Sequence, residues 1–61
     1  MQPPTVREVI RRLEQDGFKN VRTVGDHRRY AKGSRRVTVP GKLGEHLNPK
    51  TWKSICDQAG W

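Results

Sequence analysis

The stretch from Gly25 to Pro40 limits the fold more than any other part of the chain. Arg36-Val37-Thr38-Val39 alternates polar and apolar residues and stops at Pro40, which has no N–H to give to a sheet ladder. Before it, Lys32-Gly33-Ser34-Arg35 is a short turn containing glycine, the mark of a hairpin. Successive side chains of a strand point to opposite faces. His27, Arg29 and Ala31 therefore share one face of the preceding strand, and Arg28, Tyr30 and Lys32 share the other. With Tyr30 as the buried anchor, Val37 and Val39 join it inward, while His27, Arg29 and Arg36 point outward. The expected strands run over about 26–32 and 36–39.

The flanking segments supply what this hairpin needs to cover it. Thr5 and Glu8 have capping-box spacing, and Val6, Val9, Ile10 and Leu13 recur at helical intervals. Gly17 is a natural left-handed stop, and Phe18 behind it is placed to fold back onto the helix end. The first helix is expected at about 5–16. From Phe18 to Val24 the spacing is no longer helical, and the β-branched Val21, Thr23 and Val24 favour a strand. Its alternation is imperfect, so the direction of Arg22 is open. Pro40 to Leu47 reads as a loop. Asn48 followed by Pro49 is a strong helix start, and Trp52, Ile55, Cys56 and Ala59 form a second apolar stripe closed by Gly60. The expected fold is α+β: helix, three antiparallel strands, helix, with one apolar face on each element. Both helices should lie on one sheet face, in an architecture that resembles the double-stranded RNA-binding domain.

Size and charge then bound the function. The 61 residues make a single domain, 1–61, with too little interior for both a core and a deep pocket. Any chemistry belongs on an open surface facing a large partner. Thirteen Lys and Arg against six Asp and Glu leave a net charge of +7, which points to a polyanion, most often nucleic acid. A membrane surface fits less well, because neither helical segment pairs a wide apolar face with a lysine-rich one. The single cysteine, Cys56, permits no internal disulfide and no zinc set, in keeping with a reducing cytosol. It reads as a small core residue. No apolar run has the length of a signal peptide or a membrane span, so a cytoplasmic location is expected. No carboxylate cluster suggests a catalytic metal, and no cofactor is implied.

Gly25-Asp26-His27-Arg28-Arg29-Tyr30 concentrates the chemistry. Histidine is the one side chain whose unperturbed pKa lets it exchange protons near neutrality. The arginines offer forked donors that match phosphate oxygens. The residues alone are equally those of a turn followed by a polar edge strand with a solvated histidine. The second histidine, His46, lies in the loop before the last helix and is the weaker candidate. A His27–His46 pair requires that loop to cross the sheet.

These residues, in this order, resemble the HicA-type mRNA interferase toxins of bacterial toxin–antitoxin pairs. The likeness runs through Leu13-Glu14-Gln15-Asp16-Gly17-Phe18, the glycine–x–histidine at Gly25-Asp26-His27, then Arg28-Arg29-Tyr30. It continues in Arg36-Val37-Thr38-Val39-Pro40 and in the closing Trp52 to Gly60. The resemblance implies a fold like the double-stranded RNA-binding domain, cleavage of mRNA by a single histidine, and a HicB-type antitoxin as protein partner. The catalytic histidine maps to His27 and the motif glycine to Gly25. The middle position, commonly serine in that family, is Asp26 here.

The chemistry such a toxin requires is modest. RNA carries its own nucleophile, the 2′-hydroxyl beside each phosphate. A histidine can move its proton, and Arg29 and Arg36 can hold the phosphate, with Gly25, Arg22 and Arg28 as further candidate RNA contacts. A second proton must come from water, Tyr30 or the substrate. The alternative function is a non-catalytic RNA-binding module of similar fold using the same basic face. A third is a small protein whose basic face docks an acidic partner.

Overall fold

A computed structural model describes residues 2–61. The elements are α1 (Val6–Gln15), β1 (Lys19–Val24), β2 (His27–Lys32), β3 (Arg35–Val39) and α2 (Pro49–Ala59). The strands form one antiparallel sheet in the order β1-β2-β3. This is the expected helix, three-stranded sheet, helix order, with boundaries moved by a residue or so.

Each helix starts and stops for local reasons. At the head of α1 the Thr5 hydroxyl accepts from the Glu8 amide at 3.2 Å, and the Glu8 carboxylate accepts from the Thr5 amide at 2.8 Å. Two otherwise orphaned donors are thus satisfied. At its tail Gly17 takes φ 96°, and its amide bonds to the Glu14 carbonyl at 3.1 Å. The Phe18 amide closes on the Leu13 carbonyl at 2.9 Å, completing a Schellman motif that delivers the Phe18 ring into the core. In α2 the Asn48 side chain accepts from the Lys50 amide at 2.9 Å, with Pro49 in the first turn and a left-handed Gly60 at the end.

One core holds the layers together. Val6, Val9 and Leu13 from α1, Phe18, Tyr30 from β2, Val37 and Val39 from β3, and Ile55 and Ala59 from α2 form a single buried cluster. Both helices therefore cover the same sheet face. Burying an aliphatic side chain of this kind contributes about 1.5–3 kcal/mol, so Leu13 and Ile55, both fully buried, are among its main supports. Leu47, expected only as part of a loop, also enters the core. Its amide bonds to the Pro4 carbonyl at 3.0 Å, which fastens the 40–47 loop against the chain leading into α1. Trp52 and Cys56 are half-buried rather than deep in the core. Trp61 packs against Trp52 with ring centroids 6.0 Å apart and donates from Nε1 to Asp16 Oδ2 at 3.1 Å. That bond holds the Asp16 carboxyl below its ordinary value.

β1 departs from expectation. It has no buried face: all six of its residues are exposed. The sequence had been expected to give every element an apolar side. The helices instead cover β2 and β3, and β1 overhangs them at one edge of the sheet.

Candidate functional site

The site begins at the turn between β1 and β2. Val24 pairs with His27, so only Gly25 and Asp26 connect the strands. A two-residue connection of this hand needs positive φ at its first position, and Gly25 supplies it at 59°. His27 is therefore the first residue of β2, at the mouth of the hairpin.

Strand register then decides which side chains meet. Along β2 the helix-side residues are Arg28 and Tyr30, half-buried and buried, while His27 and Arg29 are exposed on the opposite face. Arg29 pairs with Thr38 across to β3 and with Arg22 across to β1. A bulge at Val21 separates the Asn20–Tyr30 pair from the Arg22–Arg29 pair. The extra residue inverts the alternation of β1, so Asn20 lies on the face of Tyr30 while Arg22 and Val24 share the face of Arg29 and His27. This settles the open direction of Arg22.

The result is a shallow depression of about 180 Å³ lined by Arg22, Val24, His27, Arg29 and Thr38. It lies on the sheet face that no helix covers. The His27 side chain is 64% exposed, and Asp26 Oδ1 lies 3.2 Å from its Nδ1. A negative charge at that distance favours a proton on Nδ1 and leaves Nε2 as the acceptor. The guanidinium groups of Arg22 and Arg29 have no ion-pair partner among the described residues. The depression thus combines a proton acceptor, two free cations, a hydroxyl and an apolar rim, all open to a large substrate.

Not every candidate from the sequence reaches it. The Arg28 guanidinium turns to the other side and donates to the Gly41 carbonyl at 3.0 Å, tethering the 40–47 loop to β2. Arg36 is exposed, but its guanidinium folds back onto the Gly33 and Arg35 carbonyls at 2.8 and 3.0 Å. Tyr30, one of three suggested proton sources, is buried among the core side chains on the helix side, and burial raises its pKa above the ordinary value. It is separated from His27 by the thickness of the sheet. Thr38, outward by the alternation of β3, is a lining residue that the charge pattern of the sequence does not point to.

His46 sits elsewhere. Its Nδ1 lies 2.7 Å from the Pro3 carbonyl oxygen, and it lines a separate groove with Glu8, Arg12 and Trp52 on the helix side. The loop that carries it packs against the head of α1, through bonds from the Val6 amide to the Glu45 carbonyl and from the Arg7 amide to the Leu43 carbonyl. The two histidines are not brought together.

A family model described as the HicA toxin of bacterial toxin–antitoxin systems matches residues 6–61. The chain belongs to the HicA toxin family. The match takes in both helices and all three strands, including the whole lining of the depression. HicA membership makes this chain the toxin partner in a class of paired proteins, which fits its exposed cationic face. A search of curated proteins returned no match. No helix among the described residues is long and apolar enough to cross a membrane.

Proposed function

We propose that this HicA chain is a cytoplasmic, metal-independent endoribonuclease that cleaves mRNA with His27 as its single catalytic histidine. The observation that carries the reading is the meeting of His27 with Arg22, Arg29 and Thr38 in one open depression. His27 Nε2 takes the proton from a ribose 2′-hydroxyl. The 2′-oxygen attacks the adjacent phosphorus, and the bond to the departing 5′-oxygen breaks. The products are a 2′,3′-cyclic phosphate and a 5′-hydroxyl. Arg22 and Arg29 stabilise the charge that builds on the phosphate, with donors already aimed outward before substrate arrives. The Gly25 backbone extends the contact along the strand of RNA, and Arg36 joins it by swinging away from the Gly33 and Arg35 carbonyls. Water supplies the second proton, because Tyr30 is buried on the other side of the sheet.

An open site with a single histidine should give modest turnover rather than fast cleavage. Proton transfer by a positioned side chain contributes about 10²–10⁴-fold, and one such group acts here. A HicB-type antitoxin would silence the toxin by laying an acidic surface over His27 and its arginines, excluding RNA by occupancy.

The test is to incubate the pure chain with RNA in the presence of a chelator. Cleavage ending in a cyclic phosphate supports the enzyme. Retention of intact RNA points instead to a binding module of the same fold, and neither outcome leaves a basic docking protein. Cleavage that disappears with chelator would overturn the metal-independent mechanism.

A further inference from the structure

The two edges of the sheet are treated differently. β3 is closed: the Gln58 side chain of α2 accepts from the Thr38 amide at 2.9 Å, and its own amide donates to Ser54 Oγ at 3.0 Å. Arg35 reaches the Gln58 carbonyl at 3.4 Å and ties the same helix to the same strand. A new strand cannot add there without displacing α2. β1 has no such cover. Its outer edge has no strand or helix beside it, interrupted only by the bulge at Val21 and by the Asn20 side chain, which donates to the Arg22 carbonyl at 3.4 Å. Both its faces are open, and it carries Val21 and Val24, 57% and 58% exposed, the two most exposed large hydrophobic residues among those described.

Bare edges are templates for strand addition, since unpaired backbone groups gain partners when another chain aligns with them. The charge on β1 selects among occupants. Lys19 and Arg22 are exposed on it and neither has an ion-pair partner among the described residues. A second copy of the chain, pairing β1 with β1, would set like charges against like, which is destabilising across strands. RNA meets the cations but has no use for the bare backbone or the two valines. An extended polypeptide carrying carboxylates between apolar side chains satisfies all three features.

We propose that the β1 edge is a strand-addition site for an acidic, extended segment of a protein partner. The inference rests on the reading that a protein antitoxin holds this chain. It adds where that protein grips: beside the depression, with Arg22 and Val24 shared between the grip and the site rim. A partner seated there has its carboxylates against Arg22 without entering the sheet's closed edge.

The experiment titrates the full isotope-labelled chain with an acetylated ten-residue peptide of alternating Glu and Val. A Lys and Val peptide of equal length and a short uridine oligonucleotide serve as comparisons. The Glu peptide is expected to slow hydrogen exchange of the β1 amides by about tenfold or more at saturation. It should bind at least about tenfold more tightly than the Lys peptide, in line with the charge dependence of such encounters. Lys19→Glu combined with Val21→Glu should abolish peptide binding while RNA cleavage and melting temperature hold. Four results would overturn the proposal: no preference for the acidic peptide, protection confined to β3 or the helices, protection of β1 by the oligonucleotide alone, or undiminished binding by the double variant. RNA cleavage is read separately, so failure of the nuclease reading and failure of the edge are distinguishable.

Discussion

His27 and His46 are the same side chain, both exposed, and they differ in everything around them. His27 opens a strand whose register sets two unpaired arginines and a threonine beside it. His46 is spent on a carbonyl: its Nδ1 meets Pro3, and it helps fasten one stretch of chain to another. What distinguishes the proposed general base from a fastener here is the company that the backbone arranges for it.

The largest effect expected from this contrast is on catalysis. His27→Ala should reduce RNA cleavage by about 10²–10⁴-fold, the usual contribution of a general base. Its melting temperature should stay close to the parent's, because exposed substitutions usually change stability by under about 0.5 kcal/mol. Matched circular dichroism and cleavage assays in chelator check both halves. A His27 variant that cleaves like the parent while His46→Ala is dead would reverse the assignment.

The neighbouring arginines sharpen the same contrast at the level of binding. Arg29→Ala should flatten the log–log salt dependence of RNA affinity by about 0.7, the loss of one phosphate contact on a single strand. Arg28→Ala should leave that slope unchanged and cost about 1.5 kcal/mol of stability through the bond to Gly41. Equal effects of the two on the slope would mean that Arg28 leaves its tether to meet RNA.

A smaller change is expected at the second histidine. His46→Ala should lower stability by about 1 kcal/mol, the net worth of an ordinary hydrogen bond. Cleavage should remain within about twofold of the parent, since surface changes away from a site do little. Thermal melts and initial rates measure the two outcomes side by side.

The smallest effect concerns acid. Hydrogen bonding to the Thr5 backbone and hydroxyl holds the Glu8 carboxyl below its usual value of 4.5. A carboxyl depressed on folding stabilises the fold above its unfolded pKa, and that support fades as pH falls through the lower folded value. Acid below pH 4.5 should therefore loosen the head of α1, near His46, as the capping carboxylate takes up its proton. Glu8→Gln keeps an acceptor for the Thr5 amide and should flatten this acid limb. Pulse-labelled hydrogen exchange across the acid range measures the loosening.

Much of the fold was legible because it is written locally. Thr5 and Glu8, Asn48 and Pro49, and Gly17 and Phe18 act within a turn or two of helix, so their spacing carries their meaning. Tyr30, Val37 and Val39 follow a period of two, which also placed His27 and Arg29 outward. Arg22 was opaque because the bulge at Val21 breaks that period. Arg28 looked like a phosphate ligand because its tether, Gly41, is fixed only by the folded loop. Pro3 as the partner of His46 is 43 positions away, beyond any local pattern. Thr38 did carry a signal, its place in the alternation, but an uncharged hydroxyl on a strand is as common on a plain solvated face as in a site.

The bulge has a consequence for how such chains can change over time. His27 and Tyr30 are three positions apart, an odd interval, which is why one faces solvent and the other the core. A single residue gained or lost between them would invert that parity, sending the imidazole inward or expelling the phenol. Drift in β2 is therefore limited to substitution. β1 already carries one extra residue at Val21, which turns Arg22 and Val24 to the face opposite Asn20, and it tolerates that change of face because it has no buried side. Length changes can be absorbed on that outer strand ahead of Arg22, while the stretch from Arg22 to the turn and the strand beside it keep count.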